Sequence, residues 1–380
     1  MFQLTEDQLS LRDMIREFSE NEIEPKAEEW DKENKYPGEA IKGLAEMGVM
    51  SINIPEEYGG AGMDEICKVL SIIEIGRCCG GTGEIYATQL LVNDLILTNA
   101  NEEQKRRYLP MMAEGKIGAF ALTEPGAGSD ASSLSTKAVK DGDSYIINGT
   151  KCFISNFGPD EGEFAVLITV TDPEKGSRGG MTAFLVDRST PGFSLGKTED
   201  KMGIRAAAVS ELVFEDCRVP ESAVIGKVGE GYRVAMSGLD GGRIGMAALS
   251  VGIAQRALKE SIKYSKERVQ FNKPISENQG LRWYIAEMAT RLEAARLLTM
   301  NAAVARQNND SEVTKLASMA KYYASEAATF ISDLALQIHG GYGYMKDYVV
   351  ERLYRDARIL RIFEGTSEIQ KIVISREMLR

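Results

Sequence analysis

The feature that most narrows the fold lies in the last third of the chain. Ile244–Lys266, Ile275–Gln307 and Val313–His339 are long segments with heptad-like apolar spacing and short connections. Each buries one apolar stripe, and short connections make neighbours antiparallel, so a helical bundle is predicted. The stretch before it has another character. Lys137–Lys140 and Ser144–Ile147 flank Asp141-Gly142, a tight-turn hairpin signal. Glu163–Val170, Met181–Val186 and Glu211–Phe214 are short strand-like runs between Gly, Pro and Asp clusters. No long helices separate them, which favours a small β-sandwich or barrel over a parallel sheet.

The beginning of the chain is helical again. Thr5-x-x-Gln8 has the form of a capping box, with Leu9, Met14, Ile15 and Phe18 following as an approximate stripe. Further helices are predicted near 39–48, 63–78, 84–98 and 102–114, and Asn53–Gly62 reads as a loop from its Pro and Gly content. Three regions result: helical to residue 117, β-rich over 118–226 and helical over 227–380. No internal repeat is evident.

Composition removes several classes of function. Lys plus Arg is 45 against 56 Asp plus Glu, a net charge of −11. That balance argues against non-specific binding to nucleic acid or to an anionic membrane. No apolar run is long enough to span a bilayer. Met1–Asp7 is acidic and mixed, unlike a secretory or transit segment. Cys67, Cys78, Cys79, Cys152 and Cys217 lack metal-ligand spacing and read as buried reduced thiols, so a cytoplasmic protein is expected. His339 is the only histidine. A His-rich zinc site, a two-His iron site and a HExxH protease are therefore excluded within one chain, and no metal is expected. Chemistry falls to carboxylates or to a bound cofactor.

Three motifs stand out. In Leu122-Thr123-Glu124-Pro125-Gly126-Ala127-Gly128-Ser129-Asp130 the glycines let backbone approach a ligand, and N–H and hydroxyl groups can hold an anion such as a pyrophosphate. It is neither a Walker A loop nor a GxGxxG fingerprint, and alone it reads equally as a β-domain loop. Gln337-Ile338-His339-Gly340-Gly341-Tyr342-Gly343-Tyr344 ends a long helix in more glycines than one C-cap requires. In Arg361-Ile362-Phe363-Glu364-Gly365-Thr366-Ser367-Glu368-Ile369-Gln370 a glutamate sits between an aromatic residue and a helix-capping turn. A carboxylate there is either a solvated helix-start acid, which spacing alone favours, or a general base with a raised pKa.

Taken together, in this order and spacing, the three motifs resemble the acyl-CoA dehydrogenase family along essentially the whole chain. Gln337–Asp356 fits the family's second signature, including Asp347, Arg352 and Asp356. The chain is most similar to the short-chain, butyryl-CoA type branch. The resemblance implies an α+β fold: an N-terminal α-helical domain (1–117), a central β-sandwich or barrel domain (118–226) and a C-terminal four-helix bundle (227–380). It implies a homotetramer with non-covalent FAD at subunit contacts. Phe120, Leu122, Thr123, Gly128 and Ser129 would line the flavin and pyrophosphate. Phe153, Ile154 and Ser155 would lie beside the flavin, with the Ser155 hydroxyl near N5. Arg268, Phe271, Gln279, Gln337, Gly340 and Gly341 would reach the adenosine part from a neighbouring subunit, and Thr366, Ser367 and Glu368 would hold FAD again. Ser129, Asp240, Arg243 and Gly365 match acyl-CoA contacts.

The resemblance assigns Glu364 as the base that takes the pro-R α-proton of an acyl-CoA while the β-hydride passes to flavin N5. The thioester oxygen is held by preorganised donors, each typically worth ~2.7–4 kcal/mol. Some branches carry the base immediately before the arginine that matches Arg243. Here that residue is Gly242, which offers no carboxylate, so the resemblance leaves Glu364 as the base.

Departures from the pattern are Asn272 for a frequent Gly, Phe153 for a frequent Trp, and Asp94 with Leu95 where a neutral residue and Pro are common. Ala87, Leu91 and Asp94 share one helical face, which in the family lines the acyl pocket. Asp94 is then a substrate-tuning group or second base for a short, compact, even alicyclic acyl group, or else a surface or capping acid. Electron-transfer flavoprotein is the implied electron acceptor. Enoyl-CoA reduction by the same groups, an acyl-CoA oxidase and a catalytically silent CoA- or flavin-binding scaffold are the alternatives.

Overall fold

The structure is a computed structural model and describes residues 3–380. Six helices come first: α1 (Glu6–Phe18), α2 (Ala27–Glu33), α3 (Gly38–Glu46), α4 (Glu65–Gly76), α5 (Gly80–Asn99) and α6 (Glu102–Ala113). The Thr5/Gln8 capping box opens α1, the two side chains answering each other's backbone N–H at 3.1 and 3.2 Å. Helix α5 is buried on nearly every side, so its pattern is continuous rather than amphipathic. It approaches α4 closely, since a Cβ on Gly83 would stand 2.8 Å from the Gly76 Cα.

The strands are β1 (Gly118–Ala121), β2 (Lys137–Asp141), β3 (Ser144–Ser155), β4 (Phe164–Val170), β5 (Met181–Asp187), β6 (Phe193–Thr198), β7 (Val209–Pro220) and β8 (Val224–Ile225), with a one-turn helix α7 (Ser177–Gly180) before β5. They form one sheet in the order β6-β7-β3-β2-β4-β5-β8, and β1 pairs in parallel with β4. The hairpin predicted around Asp141-Gly142 joins β2 to β3, with Asp141 opposite Ser144. Two strands separate β3 from β5 in the sheet, yet Tyr145 and Phe184 meet with ring centroids 5.1 Å apart. The sheet therefore doubles over a core that includes Ile147, Leu167, Phe184 and Leu212. That is the sandwich-like unit expected from the short runs.

The last part holds α8 (Gly231–Glu267), the hairpin β9 (Val269–Gln270) and β10 (Lys273–Pro274), then α9 (Gln279–Gln307), α10 (Val313–His339), α11 (Val349–Ile359) and α12 (Ser367–Met378). Helix α10 spans the predicted range, but α8 begins at Gly231 rather than Ile244. Glycines at 231, 238, 241 and 242 weaken the helical signal there. Packing explains them. A Cβ on Gly231 would meet the Thr182 backbone at 2.6 Å, and one on Gly238 would meet Leu91 at 2.7 Å. Helix α8 can lie against the sheet and α5 only because these positions carry no side chain. The hairpin turn explains one departure from the family pattern. Phe271 and Asn272 both have positive φ, +51° and +58°, as a two-residue turn of this kind requires, and Asn tolerates that region where Gly is commoner.

Candidate active site

Glu364 lies in the short connection between α11 and α12, with φ +53° followed by Gly365 at +89°. A left-handed glutamate is costly, so the surroundings must hold the turn. Lys321 of α10 donates from Nζ to the Gly365 carbonyl at 2.5 Å, and Gln370 Nε2 donates to the Glu364 and Gly365 carbonyls at 3.1 and 2.9 Å. Thr366 caps α12 by accepting from the Ile369 N–H. The carboxylate reaches the flank of α8, where a Cβ on Gly242 would stand 2.8 Å from Glu364 Oε2 and 3.6 Å from Leu91 Cδ1. Gly242 thus supplies the space that the Glu364 side chain fills. Burial raises the Glu364 carboxyl to about 6, against the opposing pull of Lys321 and Arg243 and with a further push from Glu84. Lys321 is 0% exposed, and burial lowers its ammonium to about 8. Arg243 donates to Asp240 Oδ1 at 2.9 Å, and Thr314 donates to Asp240 Oδ2 at 2.7 Å. A weakly solvated carboxylate with two cations at hand can exchange a proton near neutral pH.

Leu91 leads from this carboxylate to a narrow cavity between α4, α5 and α8, with room for about one water, walled also by Ala87, Asp94, Gly241 and Gly245. Asp94 is not a free acid there. Its Oδ2 accepts from Lys68 Nζ and Arg306 Nη2, both at 2.8 Å, and its Oδ1 accepts from Asn53 Nδ2 at 2.6 Å. Arg306 and Lys68 also bind Glu65. Burial alone would raise the Asp94 carboxyl, but the two cations outweigh it and hold it at about 2. The face predicted for Ala87, Leu91 and Asp94 does line a cavity, but a second base at Asp94 is excluded by this ion cluster.

The first glycine motif forms an open loop. Cβ atoms on Gly126, Gly128 and Gly341 would meet nothing within 4 Å, so the chain's own packing does not require glycine at these positions. Glycine there leaves the backbone open to close approach by a ligand. Glu124 points inward as a staple, accepting from Ser135, Thr136 and Lys151, with Lys151 at 2.7 Å. Lys151 also donates to the Leu122 carbonyl, and the Cys152 N–H to the Thr123 carbonyl. Phe120 lies on β1, partly buried, and Ser129 is exposed. In β3 the register with β7 shifts between Lys151 and Ile154, leaving Phe153 at φ +56° and 66% exposed. Ile154 turns the other way into the sheet core, so its side chain faces no ligand, while Ser155 is partly buried. Arg268, Gly340 and Gly341 share a second depression with Tyr342, whose ring lies beneath the Arg268 guanidinium at 5.3 Å. Gln337 is exposed beside it, Phe271 is 90% exposed at its hairpin tip, and Gln279 opens α9. At the last turn Glu368 is exposed, whereas Ser367 is buried and donates to Glu326 at 2.7 Å. The Ser367 hydroxyl spends its proton within the chain, so toward a ligand it can only accept.

Three acyl-CoA dehydrogenase domains match in sequence: the N-terminal domain over residues 5–116, the middle domain over 119–217 and the C-terminal domain over 229–379. The chain belongs to the acyl-CoA dehydrogenase family. It is an FAD-dependent oxidoreductase acting on CH–CH groups, and the exposed glycine loops and bulged strand fit such a cofactor. Acryloyl-CoA reductase (NADH) of Anaerotignum propionicum is 48% identical over 382 residues, covering 100% of this chain and 96% of that protein. The short-chain specific acyl-CoA dehydrogenase of Clostridium acetobutylicum is 45% identical with full coverage of both. Butyryl-CoA dehydrogenase of Megasphaera elsdenii superposes with a TM-score of 0.97 at 40% identity over the whole of both chains. A chain in the structure of the electron transferring flavoprotein of Acidaminococcus fermentans gives 0.96 at 44% identity, again with full coverage.

Two charged groups that act on the Glu364 carboxyl escape the sequence motifs. Lys321 sits inside an apolar helical stripe, and Glu84 inside a helix with almost no polar face. A charged residue at a position whose helical neighbours are all buried is the signal that points to both.

Proposed function

We propose that the chain interconverts a short acyl-CoA and its α,β-unsaturated counterpart, with Glu364 moving the proton at the α-carbon. The observation that carries this is the Glu364 carboxylate, held in a strained turn, half-buried and seated against Gly242. Bound FAD supplies the two-electron acceptor for the β-hydride. The chain does the rest. Glu364 takes the α-proton in the direction of oxidation and returns it in the direction of reduction. Lys321 and Gln370 fix the turn, and the Glu364 peptide N–H is the donor offered to the thioester oxygen as charge develops there. The loop from Leu122 to Ser129, the bulge at Phe153–Ser155 and the Gly340-Gly341 turn are the surfaces for the cofactor. Asp240 and Arg243 stand on the CoA side of the carboxylate.

A short and compact acyl group is supported by the little room left beyond Leu91, a cavity for about one water walled by Glu65, Lys68 and Asp94. An alicyclic group draws no separate support, because Asp94 is fully paired. Likeness to an acryloyl-CoA reductase favours a second reading, in which the physiological direction is reduction. Electron-transfer flavoprotein is the proposed electron partner, and a homotetramer the proposed assembly, with the exposed Phe271 hairpin reaching a neighbouring subunit. The test is an anaerobic assay of holoenzyme with acyl-CoAs of increasing length and a dye acceptor, repeated with enoyl-CoAs and a reduced donor. Turnover that is greatest at short chain length and lost in Glu364→Gln is expected. Undiminished turnover in that variant, or a preference for long linear chains, would sink the proposal.

A further inference from the structure

Glu84 is a buried carboxyl that the chain leaves half-satisfied. It is 2% exposed in the first half of α5. Thr88 Oγ1 donates to its Oε1 at 3.1 Å, and the Ser155 hydroxyl bears on the carboxyl as well. Oε2 has no partner in good hydrogen-bond geometry among the described residues. The one cation near enough to be felt, Lys201, spends its ammonium on the Ala207 carbonyl at 2.6 Å. Buried carboxyl oxygens are almost always paired, so an unpaired one calls for a partner from outside the chain, a water or a ligand.

The helix shows what that place is. Glu84, Thr88 and Leu91 lie at i, i+4 and i+7 on one face of α5. Leu91 borders the Glu364 carboxylate and also walls the narrow cavity. Glu84 acts electrostatically on Glu364 itself. Glu84 therefore lies on the face of α5 that leads to the base, toward Ser155, with Leu91 and Asp94 further along the helix.

We propose that Glu84 is a specificity-determining residue whose unpaired carboxyl oxygen hydrogen-bonds a hydroxyl group carried on the short acyl chain beyond its β-carbon. The inference rests on the reading of Glu364 as the α-carbon base with Ser155 beside the hydride acceptor, because these two place the reacting carbons and leave Glu84 next to the carbon that follows. A hydroxyl suits the site because it both donates and accepts, and so pairs with a carboxyl in either protonation state. A wholly apolar acyl group would seal the oxygen away from water with no partner, which is costly. Sites built to hydrogen-bond a substrate group discriminate strongly against analogues that lack it.

The test uses FAD-loaded protein in the Glu364→Gln background, where calorimetry reads binding without turnover. Dissociation constants are compared for 4-hydroxybutyryl-CoA and butyryl-CoA, with and without Glu84→Val or the isosteric Glu84→Gln. The hydroxylated thioester is expected to bind about tenfold or more tighter when Glu84 is present. Glu84→Val should abolish that margin and Glu84→Gln should keep part of it. In the Glu364-containing enzyme the kcat/KM ratio of the two thioesters should fall in parallel. Equal affinities with Glu84 present, or a margin that both substitutions leave unchanged, overturns the proposal. A shift of the flavin reduction potential by both substitutions without any change in the margin overturns it too, and assigns Oε2 to the cofactor. Failure of the underlying reading looks different: there, Glu364→Gln itself turns over substrate.

Discussion

Glu364, half-buried, and Asp94, buried, both lie near Leu91, and their surroundings are opposite. Asp94 is saturated: two cations and an amide occupy its oxygens. Glu364 has cations near enough to act on it, yet Lys321 spends its hydrogen bond on the Gly365 carbonyl and Arg243 on Asp240. The first acid is held at about 2 and the second is raised to about 6. Both are carboxyls largely withdrawn from water, Asp94 the more so, and what separates them is pairing. An acid whose hydrogen bonds are all made within the chain is structure, and one whose cations are engaged elsewhere is available for chemistry.

The largest expected break in this comparison is Glu364→Gln. Removing a general base costs about 10²–10⁴-fold in kcat, and FAD content should be unchanged by absorbance. The sign with pH follows from the raised carboxyl. Oxidation needs the carboxylate, so kcat/KM for an acyl-CoA should rise with pH through about 6, and reduction of an enoyl-CoA should fall through the same point. Stability has the reverse dependence on this group. The folded state holds the proton more tightly than the unfolded chain, so the favourable contribution is present below about 4.5 and lost as pH rises through about 6. At pH 8 the Gln variant should therefore be up to about 2 kcal/mol more stable in denaturant unfolding. A less stable variant would mean that Glu364 is a paired, structural acid after all.

Arg306→Met attacks the saturated end. It leaves Lys68 as the one cation for Asp94 and Glu65, and stranding buried charge typically costs about 3–5 kcal/mol. Chemical denaturation should show that loss, and the flavin spectrum and the Glu364 pH dependence should stay in place. A loss below about 1 kcal/mol would show that water reaches Asp94 and that the contrast with Glu364 is one of degree.

What the sequence revealed and what it hid divide along the same line. Local periodicity was enough for the bundle, because α10 needs only its own apolar stripe. The Asp141-Gly142 hairpin was equally legible, since a two-residue turn carries its own chemistry. The start of α8 was hidden because its glycines make sense only against Thr182, Leu91 and Glu364, residues far away in the chain. Glu364 was visible through its motif, but its spacing alone favoured a solvated acid, and only Gly242 and Lys321 show why it is not one. Asp94 was visible as an anomaly, and its meaning depended on Lys68 and Arg306, which no motif joins to it. Pairing between distant elements decides what a buried charge does, and pairing is what a linear pattern does not carry.

Lys321→Met sharpens the comparison at the active end. The ammonium both anchors the Gly365 carbonyl and draws the Glu364 carboxyl downward. Its loss should lower kcat by about 10–100-fold through misplacement of the base. It should also move the rising limb of the pH profile to higher pH. Lys321→Arg, which keeps the charge but not the geometry, should restore the pH limb more fully than kcat. An unmoved limb in the Met variant would mean that the cation is only a brace.

Thr366→Ala separates bracing from charge with the smallest perturbation. The Thr366 hydroxyl accepts from the Ile369 N–H at 3.2 Å and so fixes the first turn of α12, directly after the Glu364-Gly365 pair. Removing a cap of this kind costs about 1 kcal/mol. It alters no charge near Glu364. Thermal unfolding should therefore register the loss, kcat should fall by only a small factor, and the pH limb should stay where the unmodified enzyme has it. If Thr366→Ala moved that limb as far as Lys321→Met does, the geometry of the turn rather than the nearby ammonium would set the basicity of Glu364. The contrast with Asp94 would then be one of backbone strain rather than of ion pairing.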